Sequence, residues 1–349
     1  MKYEIKIIPA NESKDIREAW NNYVEQHEKS QLYHLFEWKS VIQKSFSHDA
    51  CYFYAVENSN KWKGILPLIH INSLLFGNYA VSLPFFNHGG MLADDVNTEQ
   101  ALLDAAINYF RDKKTTHFEL RCDDQKQFKL PVKKSKISMF LDFPPSPEDL
   151  FKSFPSKLRS QIRRPEKENM HFKSGGLELL EDFYKVFSVN MRDLGTPVYS
   201  KKLFANILKA FPKKSWLGVV YSKNIPVAAG FIIGYKKMME IPWASSLRKY
   251  NRFSPNMMLY WHMLKLAMEN GFKVFDFGRC TPGEGTYKFK KQWGAREHQL
   301  YWYYWLKKGD ALPEMNPDNP KYKLAIGLWQ KLPVWITKII GPSIVKNLP

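Results

Sequence analysis

The reading of this chain turns on "FDFGRCTPGEGTYKFKKQWGA", Phe275 to Ala295. The apolar run Val274 to Phe277 predicts a buried strand that stops at Gly278. Pro282, Gly283 and Gly285 then predict a loop, because these residues permit tight turns and close backbone approach. A helical turn or two follows, carrying Lys288, Lys290 and Lys291. A strand edge feeding a glycine loop and a basic helix start suits an anionic ligand, since backbone N–H groups and lysine charges both favour negative charge. The competing reading is a plain strand–loop–helix connection with a solvated lysine face.

Working outward, the pattern before Phe275 occurs twice. In the first half, strands are expected at Met1–Pro9 and Cys51–Val56, after helices at Lys14–His27 and Phe36–Ser45. A turn at Asn58-Ser59-Asn60 leads to a returning strand at Gly64–Ile71. Tyr79–Leu83, a helix over Thr98–Arg111 capped by Thr98, and strands at His117–Arg121 and Ser138–Phe143 complete it. Pro144, Pro145 and Pro147 mark a boundary. The second half repeats the order with helices at Phe183–Leu194 and Lys201–Phe211 and a hairpin of Trp216–Tyr221 with Val227–Tyr235. The strand Met239–Ser245 holds Pro242, a helix begins at Ser254-Pro255, and strands follow at Val274–Phe277 and Gln299–Leu306. "FELR", ending at Arg121, matches "FDFGR", ending at Arg279. A period of this length indicates duplication of a whole domain. The expected class is α/β with mixed sheets. The expected domains are 1–146 and 147–310, with an amphipathic tail over 311–349.

The order of elements resembles the GNAT acyltransferase fold, and two units in tandem resemble the Fem family. More closely, the chain looks like FemAB-related proteins of PEP-CTERM/exosortase and exopolysaccharide loci. The likeness rests on "LFGNYAVSLPFFNHGG" (Leu75–Gly90), "NMRDLGTPVYS" (Asn190–Ser200), "WASSLRKYNRFSPNMMLYW" (Trp243–Trp261) and the Phe275–Ala295 stretch. It implies two tandem GNAT-like acyl-CoA N-acyltransferase domains. It also implies acyl or aminoacyl transfer to an amino group of a cell-envelope or exopolysaccharide precursor. The co-substrate would be aminoacyl-tRNA or acyl-CoA, with no permanently bound cofactor. One departure bears on the donor. CoA-using relatives carry a glycine-rich loop where this chain has Leu247 to Ser254, "LRKYNRFS", without glycine. Arg248, Lys249 and Arg252 could still meet phosphates there.

Acyl transfer to an amine needs a positioned donor, stabilisation of the developing oxyanion and a route for the amine proton. Pro242 is expected to break the central strand and free backbone N–H groups; the alternative is an edge strand. Asp276 lies inside an apolar strand, as a base or as a structural partner for Arg279. Glu284 lies in the glycine loop as a candidate proton carrier, Tyr287 just after it is either a general acid or a packing residue, and Thr286 and Arg279 are candidate substrate contacts. Glu119 and Arg121 hold the matching strand of the first half, and His88 precedes Gly89-Gly90. Basic residues are densest from Lys152 to Lys173, including Lys157, Arg159, Arg163 and Arg164. Arg159 and Arg163 share a helix face, and the arginine fork grips phosphate in two places. Arg192 is a further candidate. Trp243, Tyr250 and Trp293 would either stack on a sugar or base or pack in the core.

Composition sets the outer limits. The 349 residues are 44% hydrophobic, enough for two packed domains. The net charge of +18 points to an anionic partner, a nucleotide, RNA, a phosphorylated precursor or an acidic membrane face, and does not choose among them; with the resemblance, the expected partner is a phosphorylated or glycan-lipid precursor, with tRNA as a second and no DNA. Cys51, Cys122 and Cys280 form no paired or zinc-binding pattern, so no metal is expected and a reducing compartment fits. No apolar run is long enough to span a bilayer, and the expectation is a cytoplasmic protein. Tryptophan and lysine in the tail suit peripheral contact with an anionic membrane; the alternative is a tail docked on the protein's own surface. Two other functions stay open: an acyl-CoA-dependent N-acetyltransferase, and a non-catalytic basic scaffold in polysaccharide export.

Overall fold

The computed structural model describes residues 3–9, 11–57, 61–73, 76–307, 312–313 and 320–348, with backbone alone for 320–322. The turn expected at Asn58-Ser59-Asn60, Leu75, and the expected 310/311 boundary lie outside the described residues. The chain divides into two compact units. The first comprises Met1–Lys136, Gln299–Glu314 and Asn347–Pro349; the second comprises Ile137–His298 and Met315–Lys346.

The elements run β1 (Glu4–Ile7), α1 (Lys14–Gln26), α2 (Glu37–Phe46), β2 (Asp49–Val56), β3 (Trp62–Ser73), β4 (Gly77–Val81), β5 (Leu92–Ala93), α3 (Val96–Asp112), β6 (His117–Cys122) and β7 (Val132–Lys133). Next come β8 (Ile137–Asp142), α4 (Pro147–Ser153), α5 (Ser156–Lys167), β9 (Met170–Gly175), α6 (Leu180–Leu194), α7 (Lys201–Ala210), β10 (Ser215–Ser222), β11 (Ile225–Tyr235) and β12 (Met238–Ser246). The chain ends with α8 (Pro255–Glu269), β13 (Val274–Cys280), α9 (Gly285–Lys291), β14 (Arg296–Gln299), β15 (Tyr301–Leu306), α10 (Pro320–Lys331) and α11 (Val334–Val345).

The first sheet has the order β1-β2-β3-β4-β6-β15-β7, with β5 on β3; the second has β9-β10-β11-β12-β13-β8-β14. Position by position these are the same sheet. Each contains one parallel pair, β4 with β6 and β12 with β13. The duplication is therefore real. The boundary expected at 146/147 is displaced, because β8 pairs antiparallel with β13, from Ile137 opposite Cys280 to Asp142 opposite Val274. In return β15 pairs with β6 in the first unit, from Tyr301 opposite Cys122 to Leu306 opposite His117. Each half of the sequence thus supplies the sixth strand of the other half's sheet. Pro147 is the first residue of α4 rather than a linker; the Ser146 hydroxyl caps that helix from Asp149 N at 3.1 Å.

Two caps differ from expectation. Asp95, not Thr98, caps α3: its carboxylate accepts from Thr98 N at 2.8 Å and from the Thr98 hydroxyl at 3.1 Å. Ser254 stands at the cap position of α8, but in a left-handed conformation (φ 61°) and without a side-chain cap bond.

In the second unit β11 is flanked by α6 and α8, so both faces are buried and the strand reads as a near-continuous apolar run. Gly218 on β10 lets α8 approach: a Cβ there would lie 2.3 Å from the Met263 methyl. The core below includes Met239, Ile241, Leu259, Met263, Phe275, Phe277 and Trp293. In the first unit α3 packs on β2 and β3 over Phe53, Leu66, Leu102, Phe110 and Phe118.

Candidate active site

In the second unit β12 and β13 run parallel for three registered pairs, Met238–Val274, Met239–Phe275 and Glu240–Asp276, and then part. On its other side β12 keeps β11, but with a bulge. Trp243 faces Phe231 and Glu240 faces Ile233, so Ile241 and Pro242 together oppose Ile232. A bulge is where a proline, which has no N–H, can sit within a sheet. The edge-strand alternative is excluded, because β12 is central. Beyond Glu240 the edge of β12 that faces β13 has no registered partner in it.

The facing strand is deformed at the same level. Asp276 is fully buried. Its Oδ1 accepts from the Ser138 hydroxyl and from Gly278 N, the latter at 2.7 Å. Gly278 has φ 76°, a conformation that favours glycine, and the register with β8 slips between Asp276 and Arg279. The slip leaves Arg279 exposed and Cys280 buried. Lys290 reaches back from α9, its Nζ donating to the carbonyls of Gly278 and Arg279 at 2.7 Å each. Only 7% of Lys290 is exposed. Burial pushes its ammonium below the usual lysine value, against the raising effect of the Cys280, Asp276 and Glu240 charges.

The loop and α9 form the rim. Glu284 is exposed at the cap position of α9 without capping it, and Thr286 and Lys288 are exposed. A Cβ on Gly283 or Gly285 would meet nothing within 4 Å, so this loop is not pressed against other backbone. The Tyr287 hydroxyl donates to Glu297 at 2.6 Å and accepts from Lys291 Nζ at 2.8 Å. Behind α9 lies a cleft of about 740 Å³ lined in part by Asp142, Phe154, Lys291 and Trp293.

The basic helix is placed differently from expectation. Arg159 donates to the carbonyls of Lys152 at 3.1 Å and Phe154 at 2.9 Å, so its fork closes the end of α4. Arg163 lies 4.9 Å from the Phe151 ring centre. Lys157 and Arg164 stay exposed. Arg192 pairs with Asp193 at 2.6 Å and donates to Leu332 O at 3.0 Å, which ties down the tail. Trp243 packs among Phe204, Phe231 and Tyr199, and Trp293 against Phe154. Both tryptophans are core. Tyr250 packs at the margin of the same core. In the segment Leu247–Ser254 the described backbone is a 3-10 turn over Arg248–Phe253, and Arg248 donates to Asp193 O at 2.6 Å. The residues present do not form a glycine cradle there.

His88 is 1% exposed, bonds Asp123 through Nδ1 and stacks on Tyr33. Sequence reading missed Ser138 and Glu240, both buried. It also took Lys290 for a ligand-facing or solvated lysine, whereas the side chain is buried on two carbonyls. The signal was there: Lys290 is three residues before the buried Trp293, on the inward side of α9.

Residues 152–291 match the model of the acetyltransferase (GNAT) domain. No curated protein matches the chain. Among solved structures it is similar to FemX, with 14% identity, a TM-score of 0.64, and coverage of 92% of this chain and 100% of that one. It is similar to L-PGS from Bacillus licheniformis, with 13% identity, a TM-score of 0.55 and coverage of 94% and 97%. It is also similar to a tandem GNAT protein from the clavulanic acid biosynthesis pathway, with 9% identity, a TM-score of 0.53 and coverage of 88% and 100%. The chain has the tandem GNAT fold that FemX shares, and its residues 152–291 carry an acetyltransferase (GNAT) domain.

Proposed function

We propose that the protein is a Fem-type acyl- or aminoacyltransferase whose reaction takes place at the parting of β12 and β13. The observation that carries this is the bulge at Ile241–Pro242 beside the parting, inside the stretch that matches the acetyltransferase domain. An acyl carbonyl set along the edge of β12 where it parts from β13 would meet backbone N–H groups already oriented for the oxyanion, at no cost of reorganisation. The acceptor amine attacks that carbonyl, the new N–C bond forms, the donor's C–O or C–S bond breaks, and the amine proton leaves. Tyr287, held between Glu297 and Lys291, is our candidate for protonating the leaving group. Glu284 stands at the rim as a candidate base. Asp276 fixes the register slip of β13 through Gly278 N, and Lys290 holds the carbonyls of Gly278 and Arg279.

The acceptor in this reading is an amino group on a phosphorylated or glycan-lipid cell-envelope precursor, met at the inner face of the membrane by a cytoplasmic protein. Exposed Lys157, Arg164, Arg279 and Lys288 offer the positive charge. Aminoacyl-tRNA is favoured as donor over acyl-CoA, because Leu247–Ser254 is a 3-10 turn with no glycine and Arg248 is committed to Asp193.

The test is a titration of the protein with acetyl-CoA and with charged and uncharged tRNA at two salt concentrations, followed by transfer assays on a soluble amine acceptor. Selective binding of charged tRNA that weakens steeply with salt is expected. Tyr287→Phe is then expected to lower kcat by about 100-fold. Tight acetyl-CoA binding would move the acyl-CoA-dependent N-acetyltransferase first. If neither donor binds, the enzymatic reading fails and the basic scaffold takes its place.

A further inference from the structure

The two tail helices lie on the second unit with one face and leave a second face bare. Gly341 permits the closest contact: a Cβ there would lie 2.9 Å from Val198 N and 3.1 Å from Val198 O. Thr337, Gly341 and Val345, spaced by four, make the buried stripe of α11. At α10, Ile326 sits over Gly195 (φ 75°), Gln330 donates to Asp193 O at 3.1 Å, and Arg192 donates to Leu332 O at 3.0 Å. The tail is therefore seated on α6 and the turn that follows it, the "RDLGTPV" stretch Arg192–Val198.

The opposite face is apolar and in solvent. Trp335 is 64% exposed and Ile339 67%, one turn apart, and Leu324 (67%) and Leu328 (59%) repeat the spacing on α10. Ile340 and Leu194, at the end of α6, are exposed as well. No other stretch among the described residues concentrates exposed large hydrophobic side chains in this way. From 320 to 349 the sequence holds five lysines (Lys321, Lys323, Lys331, Lys338 and Lys346) and no aspartate or glutamate. Lys323, Lys331 and Lys338 are exposed.

We propose that this face is a fixed docking surface for an anionic lipid bilayer, which it enters in the plane of the interface with Leu324, Leu328, Trp335 and Ile339 below and the lysines at headgroup level. Short helices with tryptophan and branched apolar residues on one side and lysine at the flanks have the chemistry of interfacial segments. Each lysine near an anionic surface strengthens partitioning by roughly fivefold. An anionic bilayer favours a pair of tail helices whose sequence carries lysine and no aspartate or glutamate, with its apolar side chains on the exposed face. The face is independent of the acyl-transfer reading.

The experiment is flotation of the full-length protein with vesicles of phosphatidylglycerol and of phosphatidylcholine. The wild type is compared with the combined variant Leu328→Glu, Trp335→Glu, Ile339→Glu, and with Lys323→Gln, Lys331→Gln, Lys338→Gln. All six side chains are exposed, and hydrogen exchange over α6 reports whether the tail remains seated. The wild type is expected to float with phosphatidylglycerol vesicles, with each triple variant weaker by about tenfold or more. Equal flotation of wild type and apolar variant overturns the proposal, as does equal binding to both lipids. So does a concentration-dependent dimer, seen by sedimentation velocity, that the apolar variant abolishes without changing flotation. Transfer to a soluble acceptor is unchanged in these variants under the proposal, so its failure and the failure of the acyl-transfer reading are told apart.

Discussion

The two units run the same parallel ladder and end it differently. Both ladders last three pairs and stop at an acidic residue, Glu119 in the first unit and Asp276 in the second. Both acids are followed by an arginine. In the first unit Arg121 turns inward. It is 2% exposed, pairs with Glu119, donates to the carbonyls of Leu83 and Phe86, and lies 4.6 Å from the Trp302 ring. Tyr304 closes the network on Glu119 at 2.7 Å. In the second unit one extra residue, Gly278, swings the arginine outward, and the lysine of α9 binds the carbonyls so exposed. The buried guanidinium holds the carbonyls of Leu83 and Phe86, and the buried lysine holds the two carbonyls at Gly278 and Arg279. The difference teaches that a duplicated scaffold can keep its ladder while one inserted residue changes what closes it.

The comparison breaks first at the arginines. Arg121→Ala leaves the Glu119 carboxylate buried without its partner, and the expected loss in the first unit is about 3–5 kcal/mol. Arg279→Ala, on an exposed side chain, is expected to cost no more than about 0.5 kcal/mol. Because a two-unit chain need not unfold in one step, hydrogen exchange on peptides of each unit is the measurement. Equal losses would show that the arginines do the same work after all.

Acid sharpens the comparison next. His34 in the first unit is fully buried, and desolvation pushes its pKa down to about 4; burial does the same to His262 in the second. A histidine held neutral contributes stability above its unfolded value near 6.5, and that contribution is lost as pH falls from there towards about 4. For His34 the full effect is about 3 kcal/mol. Replacing His262 by Leu is expected to flatten the acid limb of the second unit alone, as read by exchange between pH 7 and pH 4. A variant whose two units still lose protection in parallel would refute the separation.

The smallest effect concerns the extra residue. Gly278→Ala places a Cβ at φ 76°, expected to cost about 1–2 kcal/mol in the second unit. Transfer should fall further than that loss of stability explains, because the carbonyls that Lys290 holds would move. Activity lost only in proportion to unfolded protein would reduce Gly278 to a fold requirement.

Much of the architecture could be read before any coordinates. The apolar run Cys51–Val56, the apolar run of β11 and Pro255 at the start of α8 are local signals, and each element formed where its signal lay. The site was half legible. The strand, the glycine loop and the basic turn at Phe275–Lys291 fell as expected, and Pro242 marks a bulge. Arg159 and Arg192 were expected at the substrate. Each instead bonds a carbonyl supplied by another element, at Lys152 and Phe154 or at Leu332, and composition does not record where a carbonyl will end.

The sequence by itself determined most of the longer elements, their order and their duplication, because hydrophobic period, turn chemistry and capping act within a few residues; β5, β7, α4, β9 and β14 were not read from it. Only the tertiary structure decided which sheet receives β8 and β15. Both strands are short and largely apolar, and both pair antiparallel, so local pattern does not say which sheet takes which; only the long-range pairing with β13 and β6 does. It also decided the fate of the two arginines. "FELR" and "FDFGR" look alike as strings, but one additional glycine changes the register by a residue, and in a pleated strand that sends the side chain to the opposite face.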